Sequence, residues 1–419
     1  MNIRKNVIHA AVLTMAMAAS ASVSAATVEV LHWWTSGGEA HSVAELKKLL
    51  ESQGDTWKDV AVAGGGGDNA STVLKSRIVS GSLPTAAQIK GPSIQEWGEQ
   101  GVLADLSDTA KAGNWDALLP PVVSNVMKYR GKYVAVPVNV HRVNWMWVNP
   151  AAFKKAGVEI PKTWDEFPAA ADKLQKAGIT PVAHGGQPWQ DFTLFESIVL
   201  GIGGPEFYQK AFVKLDQPSL KSTTMEKAFD TLRMVRRYID KDAANRDWNL
   251  ATATIINGKA AMQFMGDWAK GEFTAAGKVP GKDYLCLPAL GTDNAFTFNI
   301  DSLVMFKQSS TDGKKAIKDL STAVMSPQFQ EVFNLNKGSI PARLDVSLAK
   351  FDDCAKRASE DFVATSKSGT LVPSAAHKMA MSEAISGGMQ DVVTQFFNSP
   401  SMTSKAASEG LAAAARNNY

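Results

Sequence analysis

Cysteine is nearly absent, since 419 residues carry only Cys286 and Cys354. Neither stands near the N-terminal apolar stretch, so a lipid anchor built on an N-terminal cysteine is not expected. Charge of one sign is lacking too: the formal charge is +3 overall and +1 once Arg4 and Lys5 are set aside. That balance offers no concentrated basic face and argues against a nucleic-acid partner. No apolar run reaches the roughly 20 residues that a membrane-spanning helix needs. The motifs with defined catalytic or metal-binding mechanics are missing as well. There is no Gly-x-Ser-x-Gly elbow, His-Glu-x-x-His helix or EF-hand loop. Gly64-Gly65-Gly66-Gly67 invites a phosphate-loop reading, but Asp68-Asn69 follow where Lys with Ser or Thr would be required. An acid there repels phosphate, so the run reads as a turn or flexible loop. No catalytic residue, metal ligand or cofactor is expected.

What is present begins with an export pattern. Arg4 and Lys5 precede an apolar stretch from Val7 to Ala19, and Val23-Ser24-Ala25 supplies small residues where a signal peptidase reads. Residues 1–25 are therefore expected to be a cleaved signal peptide. In an oxidising compartment, Cys286 and Cys354 are expected to pair rather than remain two buried thiols. Spacing alone does not bring their Cα atoms within bridging distance.

The length fits two domains. Thr27-Val28-Glu29-Val30-Leu31-His32 alternates as a strand, Thr35 to Gly38 breaks it, and Val43, Leu46, Leu49 and Leu50 recur at helical spacing. Strand, loop and helix open an α/β domain, whose ligands sit beyond the carboxyl ends of the strands. Trp33, Trp34 and Glu39 fall there, and Lys90 ends a second short strand beginning at Ala86. Tyr133–Val138 reads as another strand, and Asn149-Pro150 starts a short helix closed by Gly157. The first crossing between domains is placed near 138–143. Residues 163–247 read as mainly helical. Ala295–Phe306 is extended and a candidate return crossing, Lys314–Phe333 is helical, and Asn336–Pro341 is a loop able to carry the chain back.

Eleven tryptophans stand against six tyrosines. Indole offers a large flat apolar face with one donor, the shape that suits the C–H patches of a pyranose. Trp33, Trp34 and Trp268 are candidate plates. Glu39 and Asp301 can accept from hydroxyls, Lys90 and Lys337 can donate, and His377 can do either. Read singly, each aromatic is more often core and each charge more often a solvated surface group. Only a common location would make the set meaningful. The alternative from another class is a glycoside hydrolase with Glu39 and Asp301 as its paired carboxylates.

Several stretches in combination carry a resemblance. They are the strand leading into Trp33-Trp34, Leu83-Pro84-Thr85-Ala86 before Lys90, Gly101-Val102-Leu103-Ala104-Asp105-Leu106, and Pro161-Lys162-Thr163-Trp164-Asp165-Glu166-Phe167. Asn257-Gly258-Lys259-Ala260-Ala261-Met262 with Gly266-Asp267-Trp268 completes the set. The chain resembles the group 1 extracellular solute-binding proteins of ABC sugar importers, and among them the periplasmic glucose-binding proteins of Gram-negative bacteria.

The resemblance implies a two-domain α/β periplasmic-binding-protein fold with several hinge crossings and a ligand cleft between the domains. The expected division is an N-terminal domain of residues 26–139 plus 300–341 and a C-terminal domain of 140–299 plus 342–419. Carried over, Trp33, Trp34 and Trp268 would bracket a sugar ring, while Glu39, Lys90, Asp301, Lys337 and His377 would hold its hydroxyls. Asn299 and Arg142 are further candidates without an assigned role. The implied protein is a periplasmic monomer that binds glucose or a related monosaccharide and delivers it to an inner-membrane ABC permease complex. An oligosaccharide is the alternative ligand.

Overall fold

The computed structural model of the chain describes residues 25–416. The expected signal segment, 1–25, lies outside the described residues except for Ala25.

Thr27–His32 forms the strand its alternation predicts, running parallel between Thr56–Ala61 and Ala86–Gln88. Its alternation holds at Val28 and Val30, which are buried, and ends at Leu31 and His32, where both faces are covered. Ser302–Met305 joins Ala86–Gln88 in antiparallel register and pairs on its other side with Ala135–Pro137, completing a five-stranded sheet. The amphipathic helix is Gly37–Ser52, with Val43, Leu46 and Leu50 on its buried face. A second sheet of four strands is built around Trp145–Val148, flanked by Leu285–Pro288 and Ala260–Phe264, with Thr180–Val182 at the far edge. All four residues of Trp145–Val148 are buried, as expected of a strand covered on both faces. Helices Pro188–Tyr208, Thr223–Arg236 and Glu383–Asn398 pack together beside it.

Local signals explain several boundaries. Asn149 caps the helix Pro150–Ala156 by accepting from the Ala151 and Ala152 amides at 3.0 and 3.3 Å. Gly157, at φ 59°, ends that helix in the left-handed region. Two expectations needed correction. Tyr133–Val138 is not one strand but two short ones, Lys132–Tyr133 and Ala135–Pro137, because the Val134 amide turns away to the Met127 carbonyl. Lys314–Phe333 is two helices, Thr311–Val324 and Pro327–Lys337, the second capped by Ser326 with Pro327 at its first position. That second helix runs through Lys337 and stops at Gly338, so Lys337 projects from a last helical turn rather than from a loop.

Three segments run side by side where the chain passes between the two large sheets. The Val138 amide donates to the Asp301 carbonyl at 2.8 Å, and the Val143 amide to the Thr297 carbonyl at 2.8 Å. Val140 and Ile340 form an isolated antiparallel bridge. His141–Arg142 pairs with Phe296–Asn299, which pairs in turn with Leu371–Pro373. Arg142 is fully buried here, donating to Asp361 at 2.5 Å and to the Ala295 carbonyl at 3.2 Å, with its guanidinium 4.2 Å from the Trp145 ring centre. It braces the crossing. Cys286 and Cys354 are joined in a disulfide with their Cα atoms 6.0 Å apart.

Candidate ligand-binding site

A cavity of about 320 Å³ opens between the two sheets. Its wall gathers Trp33, Glu39, Lys90, Trp268, Asp301, Lys337 and His377, residues drawn from six separate stretches of chain. Trp34 does not line it. At 2% exposure Trp34 lies behind the wall, where its indole N–H donates to Asp301 Oδ2 at 3.2 Å. Arg142 is likewise absent from the lining, whereas Asn299 is part of it.

The carboxylates are held by different means. Glu39 sits in the first turn of Gly37–Ser52, where its Oε2 accepts from the Thr35 and Ser36 amides at 3.1 and 3.2 Å. Its Oε1 accepts from Lys337 Nζ at 2.5 Å. Asp301 lies between two strands, and its Oδ2 is 3.0 Å from His141 Nε2. Burial would push the Asp301 carboxyl up, but the charges of His141, Lys337 and Lys90 outweigh it and hold the group well below the usual carboxylate range. His141 is in turn fully buried between two acids, Asp301 and Asp267, with Nδ1 hydrogen-bonded to Asp267. Burial disfavours its cation, yet the two carboxylates raise its pKa above the ordinary value.

Lys90 differs from these. Its ammonium stands 5.0 Å from the Trp33 ring centre and makes no hydrogen bond to another side chain or carbonyl among the described residues. Burial lowers its pKa to about 8, against the opposing pull of Asp301. A donor held in this state is poised to be completed by a ligand. His377 is buried with its ring edge-on to Trp268 at 4.8 Å and its Nε2 3.1 Å from Thr193 Oγ1. Burial, with Lys90 and His141 nearby, drives its pKa well below the ordinary value, so it meets the cavity as a neutral ring.

Sequence reasoning missed much of the opposite wall. Trp189 and Trp248 line the cavity with Gln187, Asp247 and Asn249. Both tryptophans occupy the first turn of a helix, Pro188–Tyr208 and Trp248–Ile256, each behind a polar residue. A tryptophan at that position is a detectable signal, because a helix start in an α/β fold faces the crevice. Gln187 ties the two stretches together, donating to Asp247 at 2.5 Å and accepting from the Trp189 indole at 2.8 Å. The glycine run is a tight turn rather than a loose loop. Gly66 and Gly67 lie at φ 59° and 111°, flat against the Trp189 and Trp33 rings, and a Cβ on either would come within 3.1 to 3.2 Å of an indole atom. Gly64 and Gly66 themselves line the cavity.

Two sheets flanking one charged, indole-walled cavity define a two-domain solute-binding architecture. A solved chitin oligosaccharide binding protein shares this fold with a TM-score of 0.78 at 21% identity, the match covering 94% of this chain and 98% of that one. The model of the bacterial extracellular solute-binding protein family matches residues 42–331, and the chain belongs to that family. Its relatives include a "probable sugar-binding periplasmic protein" of Brucella melitensis biotype 1, 50% identical over 371 residues and covering 88% of each chain. Another, of the same name, is from Rhizobium meliloti, 47% identical over 410 residues, covering 98% of this chain and 99% of the other. The protein is periplasmic.

Proposed function

We propose that the protein is the sugar-binding component of an ABC importer, that it captures a monosaccharide, glucose foremost, and that it presents the closed complex to an inner-membrane permease. The moving bodies in this reading are residues 26–139 with 300–341 and residues 140–299 with 342–419. Only the closed arrangement lets both bodies touch the ligand, so closure is driven by differential affinity. The sugar-binding names of the relatives support the ligand class.

The observation that carries the reading is the make-up of the wall. Four indoles, Trp33, Trp189, Trp248 and Trp268, offer apolar faces, while Glu39 is matched by Lys337 and Asp301 by His141. Matched charges leave acceptors and donors for neutral hydroxyls and little net charge for an ionic ligand. A volume of about 320 Å³ is at the lower end of the roughly 300 to 1,000 Å³ seen for ligand pockets, which favours a single ring over an oligosaccharide. The chemistry also disfavours a hydrolase that uses Asp301 as its acid. A glycosidic general acid needs a raised pKa, and Asp301 is held in the opposite direction.

Isothermal titration with glucose, galactose, maltose and chitobiose tests the proposal. Glucose is expected to bind with one site per chain and more tightly than either disaccharide. Binding of a disaccharide alone would overturn the monosaccharide reading, and steady hydrolysis of an aryl glycoside would overturn the binder reading.

A further inference from the structure

We propose that Lys378 is a positioning residue for ligand retention, latching the body that carries His377 to the body that carries Lys90 through Asp68 and Glu383. The inference rests on the cavity being the ligand site. The latch stands outside the cavity wall, across a second small cavity of about 40 Å³ that Trp33 and Lys90 separate from the first.

Lys378 Nζ donates to the Asp68 carboxylate and, at 3.1 Å, to Glu383 Oε1. Glu383, the first residue of helix Glu383–Asn398, reaches the same partner helix twice. It accepts from Ser71 Oγ and from Lys75 Nζ, each at 3.0 Å. Asp68, Ser71 and Lys75 are spaced to lie along one face of helix Asp68–Val79, which packs on strand Thr27–His32. Glu383–Asn398 packs instead on helix Pro188–Tyr208. The cluster therefore bridges two helices whose main packing partners differ.

Two backbone features point the same way. Lys378 is a non-glycine residue at φ 59°, a left-handed conformation that persists only where its surroundings enforce it. Opposite it stands Gly91 at φ 52°, and a Cβ there would lie 2.3 Å from the Lys378 carbonyl oxygen. The residue after Lys90 and the residue after His377 thus touch each other across the cleft. Fixing that contact fixes the distance between the two cavity residues. The Lys378 side chain is 17% exposed and that of Glu383 22%, so the ion cluster is less screened than an open surface pair. Lys378 is raised by Asp68 and Glu383 against the effect of burial, and Glu383 is pushed down to about 2 by Lys378 and Lys75, also against burial. Lys378 and Glu383 are therefore both charged at neutral pH.

A latch that must break before the ligand can leave acts on escape more than on capture. Stopped-flow tryptophan fluorescence with D-glucose should show dissociation from Lys378→Ala about tenfold faster than from the parent, with association within about twofold. Lys378→Arg should recover most of the parent's slow dissociation, and Lys210→Ala, which breaks only the helical Lys210–Glu206 pair, should leave both rates unchanged. An unchanged dissociation rate, or slower association without faster dissociation, would overturn the latch. If Lys378→Ala does not fold, Glu383→Gln is read by the same criteria. A parent chain that takes up no sugar would overturn the ligand reading instead. The latch is then judged by X-ray scattering of the ligand-free chains, where Lys378→Ala should have the larger radius of gyration and equal radii would overturn it.

Discussion

Asp301 and Lys90 occupy the same cavity wall in opposite electrostatic conditions. The Asp301 carboxylate already accepts from the Trp34 indole, His141 and Asn299, at 3.2, 3.0 and 3.4 Å. Truncation removes a ligand acceptor and also leaves buried donors without a partner. Asp301→Ala is expected to weaken glucose binding by about 2 kcal/mol or more, measured by titration calorimetry against the parent. Equal affinities would remove Asp301 from the site. Lys90 behaves in the reverse sense, since folding penalises its ammonium and lowers its pKa from 10.5 to about 8. The penalty is complete below pH 8, where both folded and unfolded chains are protonated, and disappears above pH 10.5, where both are neutral. Lys90→Met should therefore stabilise the ligand-free protein at pH 7 by up to about 3 kcal/mol. The gain should shrink as pH rises through the window between those two values, while sugar affinity falls at neutral pH. Urea unfolding at pH 7 and pH 10.5 checks this, and a gain independent of pH would show that the charge is not the cause.

At the scale of elements, the turn Gly65–Gly67 shows how a backbone shape can serve a cavity made of rings. Gly66→Ala must place a methyl against Trp189 at a positive φ, and Gly67→Ala must do so against Trp33. Each should lower stability by roughly 1 kcal/mol or more and weaken glucose binding by displacing an indole. Gly81→Ala serves as the comparison, because Gly81 has a positive φ of 71° with open space around it. It should lose some stability and keep the parent's affinity; a loss of affinity there equal to that of Gly66→Ala would detach the effect from the rings. Elements with their own local signals, such as Pro150–Ala156 between Asn149 and Gly157, were legible in the sequence. The break at Ser326-Pro327 carried a signal that apolar periodicity concealed. The bend at Val134 carried none, since its cause is a hydrogen bond to Met127. The cavity was half legible for the same reason. Trp33, Glu39 and Lys90 follow strand ends that the pattern reveals, whereas His141 sits among buried apolar residues and matters only because Asp267 and Asp301 fold against it from elsewhere.

Over the whole molecule, segments 138–143, 295–301 and 339–341 lie side by side near the two large sheets, held to one another by backbone hydrogen bonds. In the sequence the second reads as an extended stretch and the third lies in the loop Asn336–Pro341. The disulfide was expected from the compartment alone, and the folded chain supplies the geometry that spacing could not, with Cys286 of a strand reaching Cys354 of helix Asp353–Ser368. Its two ends are 68 residues apart in sequence, and closing a loop of that size restricts the unfolded chain by about 4 kcal/mol in the chain-entropy account. Neither cysteine lines the cavity. Stability and binding should accordingly separate. A Cys286→Ser, Cys354→Ser double variant is expected to unfold at markedly lower temperature in calorimetry and to bind glucose with the parent's affinity at 25 °C. A reductant should move the parent's unfolding temperature toward that of the variant and leave the variant's unchanged. Equal unfolding temperatures would mean that the bridge contributes no stability in solution. Weaker binding by the variant would mean that the bridge also holds the crossing strands, and through Phe296–Asn299 the cavity wall, in register.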